Sequence, residues 1–292
     1  MINTEKALAP WISVEDESLN VTNEYDLYLL TGNDTIQFAI LDNDRTKFVA
    51  LHDYNLLSLK SDDIAEKVMS VILNDELLST YKKSFRKVFI SYSSSKNTLI
   101  PNAFYNDAEK KNLLSFNFNT YENEIAYNDK VRQIDAQLLY NVDKRTADFL
   151  NGFFSNTLHH NATNSLIEGI ILQHKNNSET LITVNVSHTS FDLIITEGKK
   201  LIYYNSFTYQ STEDFMYYIL FACEQMQLNP ESAVFYFSGM IEKNSALYLL
   251  AQKYIRNIRF TQRPDFCEYS YRFNEVPSHY HYRLYNQYLC AL

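Results

Sequence analysis

The chain has 292 residues, 46% of them hydrophobic, and a formal net charge of −9. That composition excludes a disordered polymer, and with no domain-wide basic face it excludes the electrostatic footprint of a nucleic-acid binder. Cys223, Cys267 and Cys290 lie far apart without CxxC spacing, which excludes a disulfide framework and a thiolate zinc site.

The N-terminal stretch, with Pro10, Trp11 and the acidic run Glu15-Asp16-Glu17, reads as an irregular arm over residues 1–20. It has no apolar core, so it is not expected to be a signal peptide. The longest apolar runs, such as Phe215 to Cys223, fall far short of a membrane span, and the expected compartment is the cytoplasm.

Tyr25 to Leu30, Ile36 to Leu41 and Lys47 to Leu51 read as three strands. The turns between them are Thr31-Gly32-Asn33-Asp34 and Asp42-Asn43-Asp44, the marks of an antiparallel meander. A helix should follow, capped at Ser61, with Ile64, Val68, Val71, Ile72 and Leu77 at helical spacing. Lys87 to Ser91 then reads as a strand, Thr98 to Pro101 as extended chain, and Asp107 to Leu114 as a helix. Lys82, Lys83, Arg86 and Lys87 form the densest positive stretch and read as a solvated connector.

Helical patterns at Asp143 to Phe154 and Asn164 to Gln173 bridge to a second block of the same order. Its strands are Thr180 to Val186, Phe191 to Thr196 and Lys200 to Phe207, followed by a helix from about Ser211 to Gln227. Ala233 to Phe237 reads as a strand, Lys243 to Tyr254 as a helix and Ile255 to Phe260 as a final strand. Beyond it, the segment with His279, His281, Tyr282, Tyr285 and Tyr288 reads as a helix laid on the surface. On a helix His279 and His281 point apart, which argues against a metal site. The predicted fold class is therefore α/β, two β-β-β-α-β-α halves with mixed sheets flanked by helices, the first over 21–157 and the second over 158–292.

A duplicated β-β-β-α-β-α unit resembles the actin-like ATPase (ribonuclease H-like) superfamily, and locally its cell-division and pilus-assembly members. The residues that carry this are Val184-Asn185-Val186-Ser187-His188-Thr189-Ser190-Phe191-Asp192, the turn Glu197-Gly198-Lys199, Leu29 to Ile36 in the first half, and Phe235-Tyr236-Phe237-Ser238-Gly239. Nearly the whole chain, including Thr98 to Pro101 and the His159-His160 region, is similar to a bacterial family of unknown function, best known from the Bacteroides group, with this actin-like fold.

The resemblance implies a nucleotide site. Its first wall would be Asn33, Asp34 and Thr35. Its second would be Asn185, Ser187, Thr189 and Asp192, with Ser238 and Gly239 in the adenosine loop. Active members need glycine-rich turns against the phosphates and carboxylates that hold magnesium. This chain has only five glycines, with Asn185 and Ser187 where the second turn should carry Asp and Gly, and apolar Leu29 where the first turn should begin with Asp. Each surviving candidate also has a structural reading: Asp34 as a turn former, Asp192 as a strand-edge charge, His160 and His188 as hydrogen-bonded packing residues. Walker A, GxSxG, HExxH and Rossmann motifs are missing.

The expected function is a non-catalytic scaffold or protein-interaction module without a cofactor. Its partner would be a protein, with a homodimer among the options. The alternative is an ATP-binding protein or slow ATPase that uses ATP with magnesium in the cleft between the halves.

Overall fold

Four strands form first: Ile12–Glu15 (β1), Tyr25–Gly32 (β2), Thr35–Asp42 (β3) and Lys47–Asn55 (β4). The structure is a computed structural model describing residues 9–94 and 96–291. Residues 1–8 of the expected arm lie outside the described residues. The rest of that arm is not irregular throughout, because β1 pairs antiparallel with β4 from Ile12 opposite Asp53 to Glu15 opposite Ala50.

Helices Ile64–Asn74 (α1) and Glu76–Tyr81 (α2) follow, each capped by an aspartate, Asp63 and Asp75. Asp63 rather than Ser61 accepts from the Glu66 N–H, while Ser61 donates to the Glu66 carboxylate. Then come Phe85–Ser93 (β5), Asn97–Pro101 (β6), Lys110–Ser115 (α3), Glu124–Val131 (β7), Ala136–Asp143 (β8), Lys144–Phe153 (α4) and Thr157–Asn161 (β9). Helix Ala162–His174 (α5) leads to the second block: Thr180–Val186 (β10), Ser190–Glu197 (β11), Lys200–Thr208 (β12), Thr212–Gln225 (α6), Val234–Gly239 (β13), Ala246–Ala251 (α7) and Asn257–Phe260 (β14). Glu268–Tyr269 (β15) and Tyr282–Ala291 (α8) complete the chain.

The duplication is visible in the sheets. The first runs β4-β3-β2-β5-β9 and the second β12-β11-β10-β13-β14. In both, the first three strands are antiparallel and the next two join in parallel. The halves differ between their fourth and fifth strands. The second half places only α7 there, whereas the first inserts α3, α4 and a separate antiparallel sheet, β6-β8-β7. The β7–β8 hairpin was not legible in the sequence: its turn, Arg132-Gln133-Ile134-Asp135, carries none of the Gly or Asn-Gly chemistry that announces a hairpin.

Burial follows the two-residue period of the strands. Tyr25, Leu27 and Leu29 of β2 point into a core with α1, α2 and α4, while Tyr28 and Leu30 point to the opposite face, against α8. The second sheet packs Ile182, Val184 and Val186 against α6 and α7. Helix α5 is buried nearly all round: its polar Glu168 accepts from the Arg132 and Gln133 backbone N–H groups, and Leu166, Ile170 and Ile171 meet Ile194 of the second sheet. It packs on α8 at Gly169, where any β-carbon would collide with the Asn286 amide. Helix α8 is thus not a surface helix: Tyr282, Leu284, Tyr285, Asn286 and Gln287 are all buried.

The inserted sheet docks through a buried carboxylate. Asp129 of β7 accepts from the Asn161 backbone N–H at 2.6 Å and the Tyr140 hydroxyl at 3.2 Å, with His160 Nδ1 3.9 Å away. Burial raises the Asp129 pKa to about 7 against the pull of those donors, and lowers that of His160 to about 4. A carboxyl raised in the folded state favours folding when protonated. Its contribution is complete below its ordinary value near 4 and is lost as pH rises through 7. His160, lowered on folding, acts oppositely between its ordinary value and 4. Asp129→Asn removes the first effect only. Urea unfolding should show its stability relative to wild type rising by about 2–3 kcal/mol from pH 5 to pH 8. A pH-independent difference would refute the assignment.

Candidate functional site

The β2–β3 and β10–β11 turns face each other across the cleft between the halves, where the sequence placed them. The Thr189 hydroxyl donates to Asp34 Oδ2 at 3.4 Å, so the two turns touch. Tyr209 closes the second turn by donating to the Ser187 and His188 carbonyls at 2.8 and 3.1 Å. Asn33 and Thr189 lie on the cleft rim, while Asp34, Thr35, Asn185, Ser187, Asp192 and Ser238 are buried.

What fills the cleft comes from a segment that the sequence reading did not connect to it. Arg283, in the first turn of α8, extends its guanidinium between the halves. It donates to Ser93 Oγ at 3.0 Å, Ser187 Oγ at 2.8 Å and Asp192 Oδ2 at 3.3 Å. Burial drives the Asp192 carboxyl above its usual pKa range, and the Arg283 charge pulls in the opposite direction. Two residues earlier in the chain, His281 Nε2 meets Asp53 Oδ2 at 2.7 Å, both side chains being almost wholly inaccessible. The same carboxylate accepts from Thr35 Oγ1 and Gln37 Nε2, each at 2.9 Å. The backbone of His281 is left-handed (φ 56°), a conformation that costs about 1 kcal/mol or more in a non-glycine residue and is held by these contacts.

The remaining candidates are committed to packing. Ser238 donates to Asn185 Oδ1 at 3.0 Å, across the parallel β10–β13 pair. Gly239 is left-handed (φ 78°), and a β-carbon there would run into the Val186 carbonyl. The Met240 N–H donates to that carbonyl and the Gly239 N–H to the His279 carbonyl. This glycine allows backbone to meet backbone rather than adenosine.

Nucleotide chemistry does not fit these residues. The cavities left in the cleft measure about 20 Å³, beside Asn185 and His281, and about 50 Å³, beside Asp34 and Asp192. Sites for small molecules occupy ~300–1,000 Å³. The Asp192 carboxylate, a candidate acid of the phosphate site, faces the Arg283 guanidinium. Asn185 and Ser187 bring an amide and a hydroxyl to the turn where active relatives of the fold need a carboxylate and a bare backbone. Among the described residues no group of three or more His, Cys, Asp or Glu is placed to hold a metal ion.

A second concavity, about 470 Å³, opens between the first sheet and the inserted one. Asn33, Asn123 and Asn141 supply amides to its lining, and Ile64, Val142 and Tyr92 supply apolar surface. Lys96 and Arg145 also line it, paired with Glu124 at 2.7 Å and Asp63 at 2.5 Å.

A Ser13–His52–Asp75 row lies on the far edge of the first sheet, with contacts of 3.0 and 2.8 Å. Glu15 Oε1 shares the same His52 Nε2 at 3.0 Å, and Tyr54 donates to Asp75 at 2.5 Å. Burial opposes the Asp75 charge, but hydrogen bonds from His52 and Tyr54 hold its carboxyl below the ordinary range. The network fastens β1 to β4 and caps α2.

The family model for a protein of unknown function (DUF3822) matches residues 15–258. The chain belongs to that family. Its structure is similar to a Bacteroides thetaiotaomicron protein with an actin-like ATPase fold and unknown function. The TM-score is 0.74 at 21% identity, covering 83% of this chain and 93% of that one. It is also similar to a chain of the PilM–PilN type IV pilus biogenesis complex, with TM-score 0.56 at 13% identity, over 84% of this chain and 90% of that one. No curated protein matches the sequence significantly. This DUF3822 chain therefore has the actin-like ATPase fold. No helix among its described residues is long and apolar enough to cross a membrane.

The sequence brought the two turns to the right places and missed Arg283, His281, Asp53, Gln37 and Ser93. One signal was available: His52-Asp53 interrupts an otherwise apolar strand, and a charge inside a buried strand calls for a partner. Asp53→Ala would strand three buried donors. Urea unfolding should show a loss of about 3 kcal/mol, with Asp53→Asn losing less because one acceptor remains. Equal stability of the alanine variant and wild type would show that the network holds nothing.

Proposed function

We propose that this protein is a non-catalytic member of the actin-like fold, acting in the cytoplasm as a protein-interaction module. One observation carries the reading: the chain's own Arg283 guanidinium stands among Ser93, Ser187 and Asp192, in the space a triphosphate and its metal ion would need. A ligand entering there would have to displace a buried charge pair and find a replacement for each of its hydrogen bonds. The small cavities and the lack of a carboxylate at Asn185 support the same reading. Three free cysteines, two of them buried, suit a reducing compartment.

The partner surface under this reading is the groove between the first sheet and the inserted one. Its mixture of side-chain amides and apolar patches matches the chemistry of an extended polypeptide, whose backbone needs both donors and acceptors. The fold neighbour from the PilM–PilN complex is itself part of a protein assembly, which is consistent with such a role.

The test is a thermal-unfolding series with ATP or ADP and magnesium. A nucleotide at a thousandfold excess over its Kd adds ~4 kcal/mol of stability, an unmistakable rise in Tm. The expected result is no rise. A nucleotide-dependent rise that disappears in Asp192→Ala would establish the opposite reading, ATP binding in the cleft.

A further inference from the structure

The two halves repeat the same sheet but finish its outer edge differently. In the first half, the edge strand β4 is covered along its length. Strand β1 pairs with residues 50–53, and β15 pairs in parallel with Lys47 and Phe48. The equivalent strand of the second half, β12, ends its sheet, and among the described residues nothing pairs with its outer side.

An unpaired edge is a row of free N–H and C=O groups, and proteins usually blunt one with charge, proline or brevity. The other edge of the second sheet is blunted in this way: β14 has four residues and carries Arg259. Strand β12 is not blunted. It runs nine residues, Lys-Leu-Ile-Tyr-Tyr-Asn-Ser-Phe-Thr, with one charge at its start, no proline and three consecutive β-branched or aromatic residues of high strand propensity, Ile202, Tyr203 and Tyr204. Beside it, aromatic rings continue onto α6. Phe207 stacks on Tyr218 at 4.9 Å, Tyr218 meets Tyr217, and Tyr217 stacks on Phe221 at 6.0 Å. Tyr217 is 61% exposed, Phe221 44% and Ile202 42%.

We propose that the outer edge of β12 is the seam of a two-fold homodimer, two copies pairing antiparallel about Tyr204 to join their five-stranded sheets into one. The inference goes beyond the reading of the cleft and does not depend on it. A second copy is the occupant that the charges select. Lys199 and Lys200 stand at the start of the strand, with Glu197 opposite Lys200 on β11, while Glu213 and Asp214 stand just past its end in the first turn of α6. Antiparallel pairing of two copies carries the lysine end of each to the acidic end of the other, twice, by symmetry. Parallel pairing would set lysine against lysine. The neutral middle of the strand opposes no like charges, and an isologous contact closes on itself without growing into a filament.

Sedimentation equilibrium and light scattering on the full chain should give twice the chain mass at micromolar concentration. Ile202→Lys or Asn205→Lys, both at exposed positions on the edge, should each weaken the dimer at least about tenfold while leaving the circular dichroism spectrum unchanged. Lys199→Glu should weaken it too, and Lys199→Glu combined with Glu213→Lys should restore it. A wild-type chain that stays monomeric throughout, a dimer indifferent to both Ile202→Lys and Asn205→Lys, or a charge reversal without rescue would each overturn the proposal.

Discussion

Arg283 and His281 tie the two halves together through groups that neither half could leave buried alone. Each half has its own sheet and apolar core, and apolar packing alone would allow the cleft between them to close in several ways. Asp53 on one wall, bonded there only by the neutral Thr35 and Gln37, and Asp192 and Ser187 on the other would be buried with too few partners in a closed cleft. Desolvated groups of this kind cost several kcal/mol unless paired in good geometry. Two residues of the α8 segment, separated by only Tyr282, satisfy both walls at once. The pairing adds little net stability beyond what an apolar plug would give, but only one arrangement of the halves allows it.

The same logic explains the scarce glycines. In a phosphate-binding turn, glycine removes a side chain so that the backbone can reach an anion. Here Gly169 brings α5 onto α8 and Gly239 brings β13 onto the Val186 carbonyl, so both serve contacts of the chain with itself. The cleft is an internal surface, and several of its residues are bonded to one another. Asn185 bonded to Ser238 and Thr189 bonded to Asp34 are instances.

The sequence made the two meanders legible because their turns are written in Gly, Asn and Asp and their strands in alternating or continuous apolar runs. It also located both turns of the candidate site, since β-hairpin tips are local features. What it concealed was non-local. Helix α8 reads Tyr-Arg-Leu-Tyr-Asn-Gln-Tyr-Leu-Cys-Ala, and its apolar stripe of Leu284, Tyr285, Tyr288 and Ala291 is flanked by Arg, Asn and Gln that read as a solvated face. Its polar positions are buried because partners await them: Tyr282 donates to Gln173 and Gln287 to the Leu29 carbonyl. No window of the chain contains that information. The β7–β8 hairpin escaped for the reverse reason, its register being set by docking around Asp129 rather than by a turn signature.

The separation of Asp53 and His281 along the chain also bears on synthesis. On the ribosome the first sheet can assemble as soon as β9 has emerged, but Asp53 then waits for an imidazole made 228 positions later. Until it arrives, Asp53 is bonded only by Thr35 and Gln37 of its own sheet. The bonds that bridge the two walls therefore depend on the segment of the described chain that is made last.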